Sequence, residues 1–283
     1  MRWGKWGAAF TTADYTAIIQ LCIENGITSF DHADIYGDYT TEYEFGLALK
    51  GMMHTRNGIQ LVTKCGIQMP SGNRPQHTIK SYNTSKAYIM ASAERSLQNF
   101  HTDYIDLFLI HRPDPLLNPE EIAGAVSALK QSGKILHFGV SNFLPAQINM
   151  LQTMVEVEYN QIEVSLLQLS PFHNGMLDNC MQHKIIPMAW SPLGGGTLSD
   201  ESHPRYRAIA ACGTELAEKY ATGINQILIA FLLAHPSGII PVLGTTRVER
   251  LIQARDAAAI KLSREDWFKL YTASTAEEVA SES

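Results

Sequence analysis

The chain has 283 residues, 45% hydrophobic and 18% charged, which is enough apolar material for one large α/β domain or two smaller ones. A net charge of −6 with no block of like charges argues against a nucleic-acid partner. No apolar run reaches 18 residues, MRWGKWGAAF lacks the apolar core of a secretion signal, and Cys22, Cys65, Cys180 and Cys212 stand far apart, so a cytoplasmic protein with no membrane span is expected.

Strand-like apolar runs alternate with helical patterns along the whole chain. A first strand is expected at 2–7, then a helix opening at Thr11-Thr12, with Ile18, Ile19, Cys22 and Ile23 on one face and a stop at Asn25-Gly26. ITSFD (27–31), a helix over 41–50, IQLVTK (59–64), a helix over 85–100 and YIDLFLIH (104–111) follow. Asn118-Pro119-Glu120-Glu121 reads as a capped helix start with acidic groups at the positive end of its dipole, and that helix ends at Gly133. Next come KILHFGVS (134–141), a helix after Pro145, VEVEYNQ (155–161), a helix over 174–184 and IIPMAWS (185–191). Helices over 205–220 and 225–235, GIIPVLG (238–244), and helices over 247–258 and 263–273 complete the pattern, before a frayed tail over 276–283.

Eight strands, each followed by helix, predict a parallel sheet closed into a single-domain (β/α)8 TIM barrel over 1–275. A doubly wound open sheet is the competing reading, but the G-x-G-x-x-G turn it would normally carry is absent. Working groups of such a barrel gather where strands end, and polar residues stand there repeatedly: Asp31, Lys64, His111, Ser141-Asn142, Gln161, Trp190-Ser191 and Gly244-Thr245. A lone polar strand end means little; seven at one rim point to a site. A metal cluster at Asp31, His32 and Asp34 is disfavoured, because only His111 is on offer as a further ligand. Cys65 reads as a packing residue, with no histidine base at a matched spacing.

FDHADIYG (30–37) resembles the Asp-x-Ala-x-x-Tyr-Gly motif of the aldo-keto reductases. VTKCG (62–66), DLFLIHRPDP (106–115), HFGVSNF (137–143), YNQIEVS (159–165), PMAWSPLGGG (187–196) and IIPVLGTTRVERL (239–251) resemble further segments of that family, in the family's order. The resemblance implies an NADPH-dependent oxidoreductase that reduces aldehydes or ketones, with a catalytic tetrad of Asp31, Tyr36, Lys64 and His111. The chemistry is coherent. An alkoxide forming from a carbonyl needs a proton, and a phenol is a sluggish acid that a nearby lysine cation would sharpen. Asp31 would hold that lysine, and His111 would orient the substrate oxygen.

The resemblance further implies nicotinamide contacts from Ser141, Asn142, Gln161 and the face of Trp190, with Ser191, Leu193 and Gly195 beyond them. The Gly194–Gly196 triplet would let backbone approach a pyrophosphate. Gly244, Thr245, Thr246, Arg250 and Gln253, at a helix start, would take the adenosine end and its 2′-phosphate. Thr245 stands where the family often has lysine and Ala254 where it usually has asparagine, so Arg250 carries the phosphate claim. Trp6 matches a pocket-lining aromatic, which implies an apolar or aromatic carbonyl substrate. The barrel-plugging hairpin that commonly precedes the first strand is expected to be missing or to lie outside the given sequence, and a monomer is implied. An NADPH-binding redox sensor and a barrel lyase or epimerase without nicotinamide are the alternatives.

Overall fold

The structure, a computed structural model, describes residues 3–195 and 204–275. The chain divides into two compact units, Met1–Asn160 and Gln161–Ser283.

In the first unit, β1 (Ser29–Asp31), β2 (Gln60–Cys65), β3 (Ile105–Ile110) and β4 (Ile135–Ser141) lie side by side in that order, all parallel. Near-continuous apolar runs suit strands covered on both faces, and Leu61, Val62, Leu107, Phe108, Leu109 and Ile110 are all buried. Helices α1 (Thr12–Glu24), α2 (Thr41–Lys50), α3 (Lys86–Phe100), α4 (Pro119–Gln131) and α5 (Pro145–Gln152) separate them. Their starts follow from local chemistry. The Thr11 hydroxyl accepts from Asp14 N–H while Asp14 accepts from Thr11 N–H, Ser85 caps α3, and Asn118 followed by Pro119 caps α4. Strand β5 (Tyr159–Glu163) begins four residues later than expected, because the Gln152 side chain holds Val157 at both its N–H and carbonyl in a turn after α5.

The second unit holds α6 (Met176–His183), β6 (Ile186–Trp190), α7 (Pro204–Lys219), α8 (Ile224–Leu233), β7 (Ile240–Val242), α9 (Val248–Asp256) and α10 (Arg264–Thr275). Strands β6 and β7 pair in parallel, Trp190 opposite Val242. The last helix is fixed by Trp267, stacked on Phe231 at 4.6 Å, and by buried Asp266, which accepts from Lys219, Tyr220 and Ser263.

The expected first strand at 2–7 is not formed; residue 2 lies outside the described residues, and 3–8 are turns. The Gly4 carbonyl accepts from both Gly7 and Ala9 N–H, and the Trp3 carbonyl from Phe10 N–H, so the segment folds on itself instead of pairing. Seven strands of parallel type are therefore formed among the described residues. The expected tail at 276–283 and Gly196 lie outside them. The long stretch between β2 and α3, which the sequence pattern leaves as loop, carries a short antiparallel hairpin of Ile67–Gln68 with Ser81–Tyr82.

Candidate active site

Four residues singled out in the sequence meet in the first unit. Lys64, one residue before the end of β2, is fully buried, and its ammonium lies 2.8 and 2.9 Å from the two carboxylate oxygens of Asp31 at the end of β1. It also donates to the His32 carbonyl at 2.6 Å and lies 3.5 Å from the Tyr36 hydroxyl. His111 follows β3, its backbone N–H still bonded to the Cys65 carbonyl. Its ring meets Tyr36 edge to face, with 5.9 Å between centroids. A buried cation, its counter-ion, a phenol and an imidazole thus lie together.

Burial pushes the Tyr36 phenol above its ordinary value of 10.0; the Lys64 cation opposes this and the Asp31 charge adds to it. The sequence reading had Lys64 lowering this phenol, and that pull is present but smaller than the desolvation of a nearly enclosed ring. Burial also works against the charge on Lys64, but Asp31 and Tyr36 outweigh it and hold the ammonium firmly protonated. His111 is driven well below the usual imidazole value by burial and then by the Lys64 and Arg112 cations, so it is neutral at pH 7. Its Nδ1 is buried with no hydrogen-bond partner.

Tyr36 is aimed by an unusual turn. It opens the short segment Tyr36–Tyr39, in which Gly37, Asp38 and Tyr39 all have positive φ. A Cβ on Gly37 would stand 2.3 Å from the Thr41 hydroxyl, so only glycine fits there.

Around this group sit buried polar residues that the sequence pattern did not assign. Glu42 accepts from Thr63, Ser96 and Asn99 at 2.6, 2.8 and 3.0 Å. Burial and the Glu42 charge push Asp34 well above the usual carboxylate range. His32 lies against Phe45 and Phe100, its ring nitrogens unpartnered, and burial keeps it neutral. Their apolar neighbours in sequence give no warning of this, since the partners come from α2 and α3. Among the described residues no group of three His, Cys, Asp or Glu is placed to hold a metal ion.

The proposed cofactor residues fall in both units. In the first, Ser141 ends β4 buried, and Asn142, at φ +59, donates to its hydroxyl at 2.8 Å. Trp6, expected in the pocket lining, stands 49% exposed on the N-terminal turn. In the second unit Gln161 is buried on β5, and Trp190 ends β6 half-buried. Ser191 and Gly195 take positive φ, and Gly194 N–H bonds the Ser191 carbonyl in the tight turn that also carries Leu193. Gly244, Thr245 and Thr246 follow β7, and the Thr245 hydroxyl accepts from Arg247 N–H. The start of α9 has no side-chain cap, Arg250 and Gln253 are exposed one and two turns in, and the ion pairs of the described residues engage Arg255 but neither Arg247 nor Arg250.

A family model described as the aldo/keto reductase family matches residues 1–274. The chain belongs to that family. Its fold class is the (β/α)8 barrel, and the chain is an oxidoreductase of carbonyl chemistry. It is 45% identical over 275 residues to the oxidoreductase YcsN of Bacillus subtilis, covering 96% of this chain and 91% of that one. It is 42% identical over 284 residues to a 6-dehydroglucose reductase of Agrobacterium fabrum, covering 98% and 95%. An aldo-keto reductase from Klebsiella pneumoniae, solved in complex with NADPH, superposes with a TM-score of 0.74 at 27% identity, over 92% of this chain and 84% of that one. No helix among the described residues is long and apolar enough to cross a membrane.

Proposed function

We propose that this protein reduces aldehydes or ketones with NADPH, Tyr36 giving the proton, Lys64 and Asp31 holding it ready, and His111 orienting the carbonyl oxygen. The observation that carries the reading is the Lys64 ammonium, fixed on Asp31 and 3.5 Å from the Tyr36 hydroxyl. A bound nicotinamide supplies the hydride that goes to the carbonyl carbon. As negative charge gathers on the carbonyl oxygen, Tyr36 transfers its hydroxyl proton to it, and the adjacent ammonium stabilises the tyrosinate left behind. Water reprotonates that tyrosinate when the alcohol leaves. A neutral His111 can donate a ring N–H to the oxygen without competing as the acid.

Two features support NADPH as the cofactor. The uncapped start of α9 leaves backbone N–H groups for a phosphate, and no ion pair among the described residues engages Arg250 beside it. Asn142 and Ser141, at the end of β4, offer the donors and acceptors a carboxamide needs.

The Agrobacterium relative's name makes a sugar 6-aldehyde the first substrate to try, with aromatic aldehydes beside it because of Trp6. The test is NADPH oxidation by the purified protein against hexodialdoses, 4-nitrobenzaldehyde, ketones and dicarbonyls. Turnover on at least one is expected, faster with NADPH than NADH. Turnover on none, with NADPH bound, would favour the sensor reading.

A further inference from the structure

The backbone that presents Tyr36 is held in a form that side-chain-bearing residues resist. Gly37, Asp38 and Tyr39 have φ of +60, +63 and +68, three successive left-handed residues. Glycine adopts this freely, but at Asp38 and Tyr39 the Cβ crowds the neighbouring carbonyl. Such strain persists only where the surroundings over-determine it. Local bonds help, from the Thr40 hydroxyl to the Gly37 carbonyl at 2.8 Å and from Tyr39 and Thr40 N–H to the Ile35 and Tyr36 carbonyls at 3.3 Å.

Beyond an exposed Lys5–Asp38 pair, the further hold comes from the stretch that follows β2. The Asn73 amide donates to the Asp38 carbonyl at 2.8 Å. Met69 N–H donates to the Tyr39 hydroxyl at 2.8 Å, and that hydroxyl lies 3.2 Å from Nδ1 of buried His77. The same hydroxyl lies 3.4 Å from the Met69 carbonyl, so its proton has that oxygen and Nδ1 as acceptors while its oxygen accepts from Met69 N–H. The Arg74 guanidinium covers the Tyr39 ring at 4.7 Å. The ring itself is buried with Ala33, Ile35 and Ile67, in the cluster against which Tyr36 and Met69 pack. The hairpin of Ile67–Gln68 with Ser81–Tyr82 ties down both ends of this stretch.

We propose that Tyr39 is a positioning residue for the reaction: its hydroxyl, gripped by Met69 and His77, together with Asn73 on Asp38, locks the left-handed turn and so fixes the Tyr36 ring beside Lys64. The inference rests on the reading of Tyr36 as proton donor. Tyr39 touches none of the reacting atoms. It acts through three residues of backbone, and small misplacements of a reacting group cost rate steeply.

The experiment compares Tyr39→Phe with wild type by steady-state kinetics, NADPH binding and NMR of ring-labelled tyrosine, with the Tyr36 signal assigned by its loss in Tyr36→Phe. Removing one hydroxyl keeps the ring packing, so kcat is expected to fall about tenfold while the NADPH Kd stays within about twofold. The Tyr36 signal should shift or broaden. Asn73→Ala, an exposed loop change that does not threaten folding, should lower kcat about threefold in the same way. A kcat within twofold of wild type in both variants, or a loss of kcat with an unmoved Tyr36 signal, overturns the proposal. Should the wild type reduce no carbonyl compound, the proton-donor reading fails, and an unmoved Tyr36 signal in Tyr39→Phe then overturns the clamp as well.

Discussion

Strand β2 has a buried cation near each end, and the two do different work. Arg56, in the 3-10 turn Met53–Gly58 just before the strand, pairs with Asp106 at 2.8 Å. Its guanidinium also donates to the Tyr104 and Ile59 carbonyls and the Thr102 hydroxyl, and it lies 3.8 Å over the Tyr104 ring. Asp106 in turn accepts Leu61 N–H. Every strong direction is taken, so this pair can only hold strands together. Lys64, at the other end, is just as buried and just as firmly paired, but its fourth neighbour is a long contact to a phenol whose proton can leave. Two ion pairs of the same charge type differ in one respect, whether the cation retains a loosely held acidic partner. Under the proposed mechanism that difference separates a structural tie from a reacting site, in keeping with the barrel rule that strand starts serve stability and strand ends serve reaction.

Removing each cation in turn should pull the two roles apart. Lys64→Met should cut kcat by about 10² to 10⁴, because the phenol loses the charge that stabilises its conjugate base. Single-turnover reduction measures this, and a loss below tenfold would make Lys64 a second structural tie. Arg56→Met should do the reverse. It strands Asp106 and costs about 3–5 kcal/mol of stability, seen in chemical denaturation, with kcat unchanged at temperatures where the variant is folded. A large loss of kcat in the folded variant would erase the contrast between the two ends.

A pH profile sharpens the comparison from the acid side. Tyr36 sits above its ordinary value, so it keeps its proton through neutral pH, and reduction should decline only above pH 10.0. His111 sits well below its ordinary value of 6.5, so it is already neutral at pH 7 and no inflection belongs near 6.5. An inflection there in kcat would move the acid role to His111. The smallest effect belongs to an exposed pair. Lys5 and Asp38 lie 3.0 Å apart with the lysine 64% exposed, and Lys5→Ala should leave the midpoint of the same denaturation assay unchanged.

Most of the helices and the strand ends were legible because their signals are local. Thr11, Ser85 and Asn118 announce helix starts through their own hydroxyls and amides, and β2 and β3 announce themselves as apolar runs. The strand expected at 2–7 failed for a related reason: the Gly4 and Trp3 carbonyls take the N–H groups of Gly7, Ala9 and Phe10 within the same segment, and a run of residue types does not show where hydrogen-bond partners are. Asp31, Tyr36, Lys64 and His111 were found from strand-end position and motif, and the structure brings all four together. What stayed hidden was every feature made by distant partners. The Arg56–Asp106 tie spans 50 residues, the Glu42 network gathers side chains from α2, β2 and α3, and the grip on Tyr39 comes from Met69, Asn73 and His77. The net rise at Tyr36 was missed because burial, unlike a neighbouring lysine, is not written in a motif.

The most direct test of the central claim is Tyr36→Phe, compared with wild type for carbonyl reduction and for NADPH binding. Turnover should be abolished while the NADPH Kd stays within about twofold, because only the hydroxyl proposed to give the proton is removed. Reduction by Tyr36→Phe at the wild-type rate would contradict it.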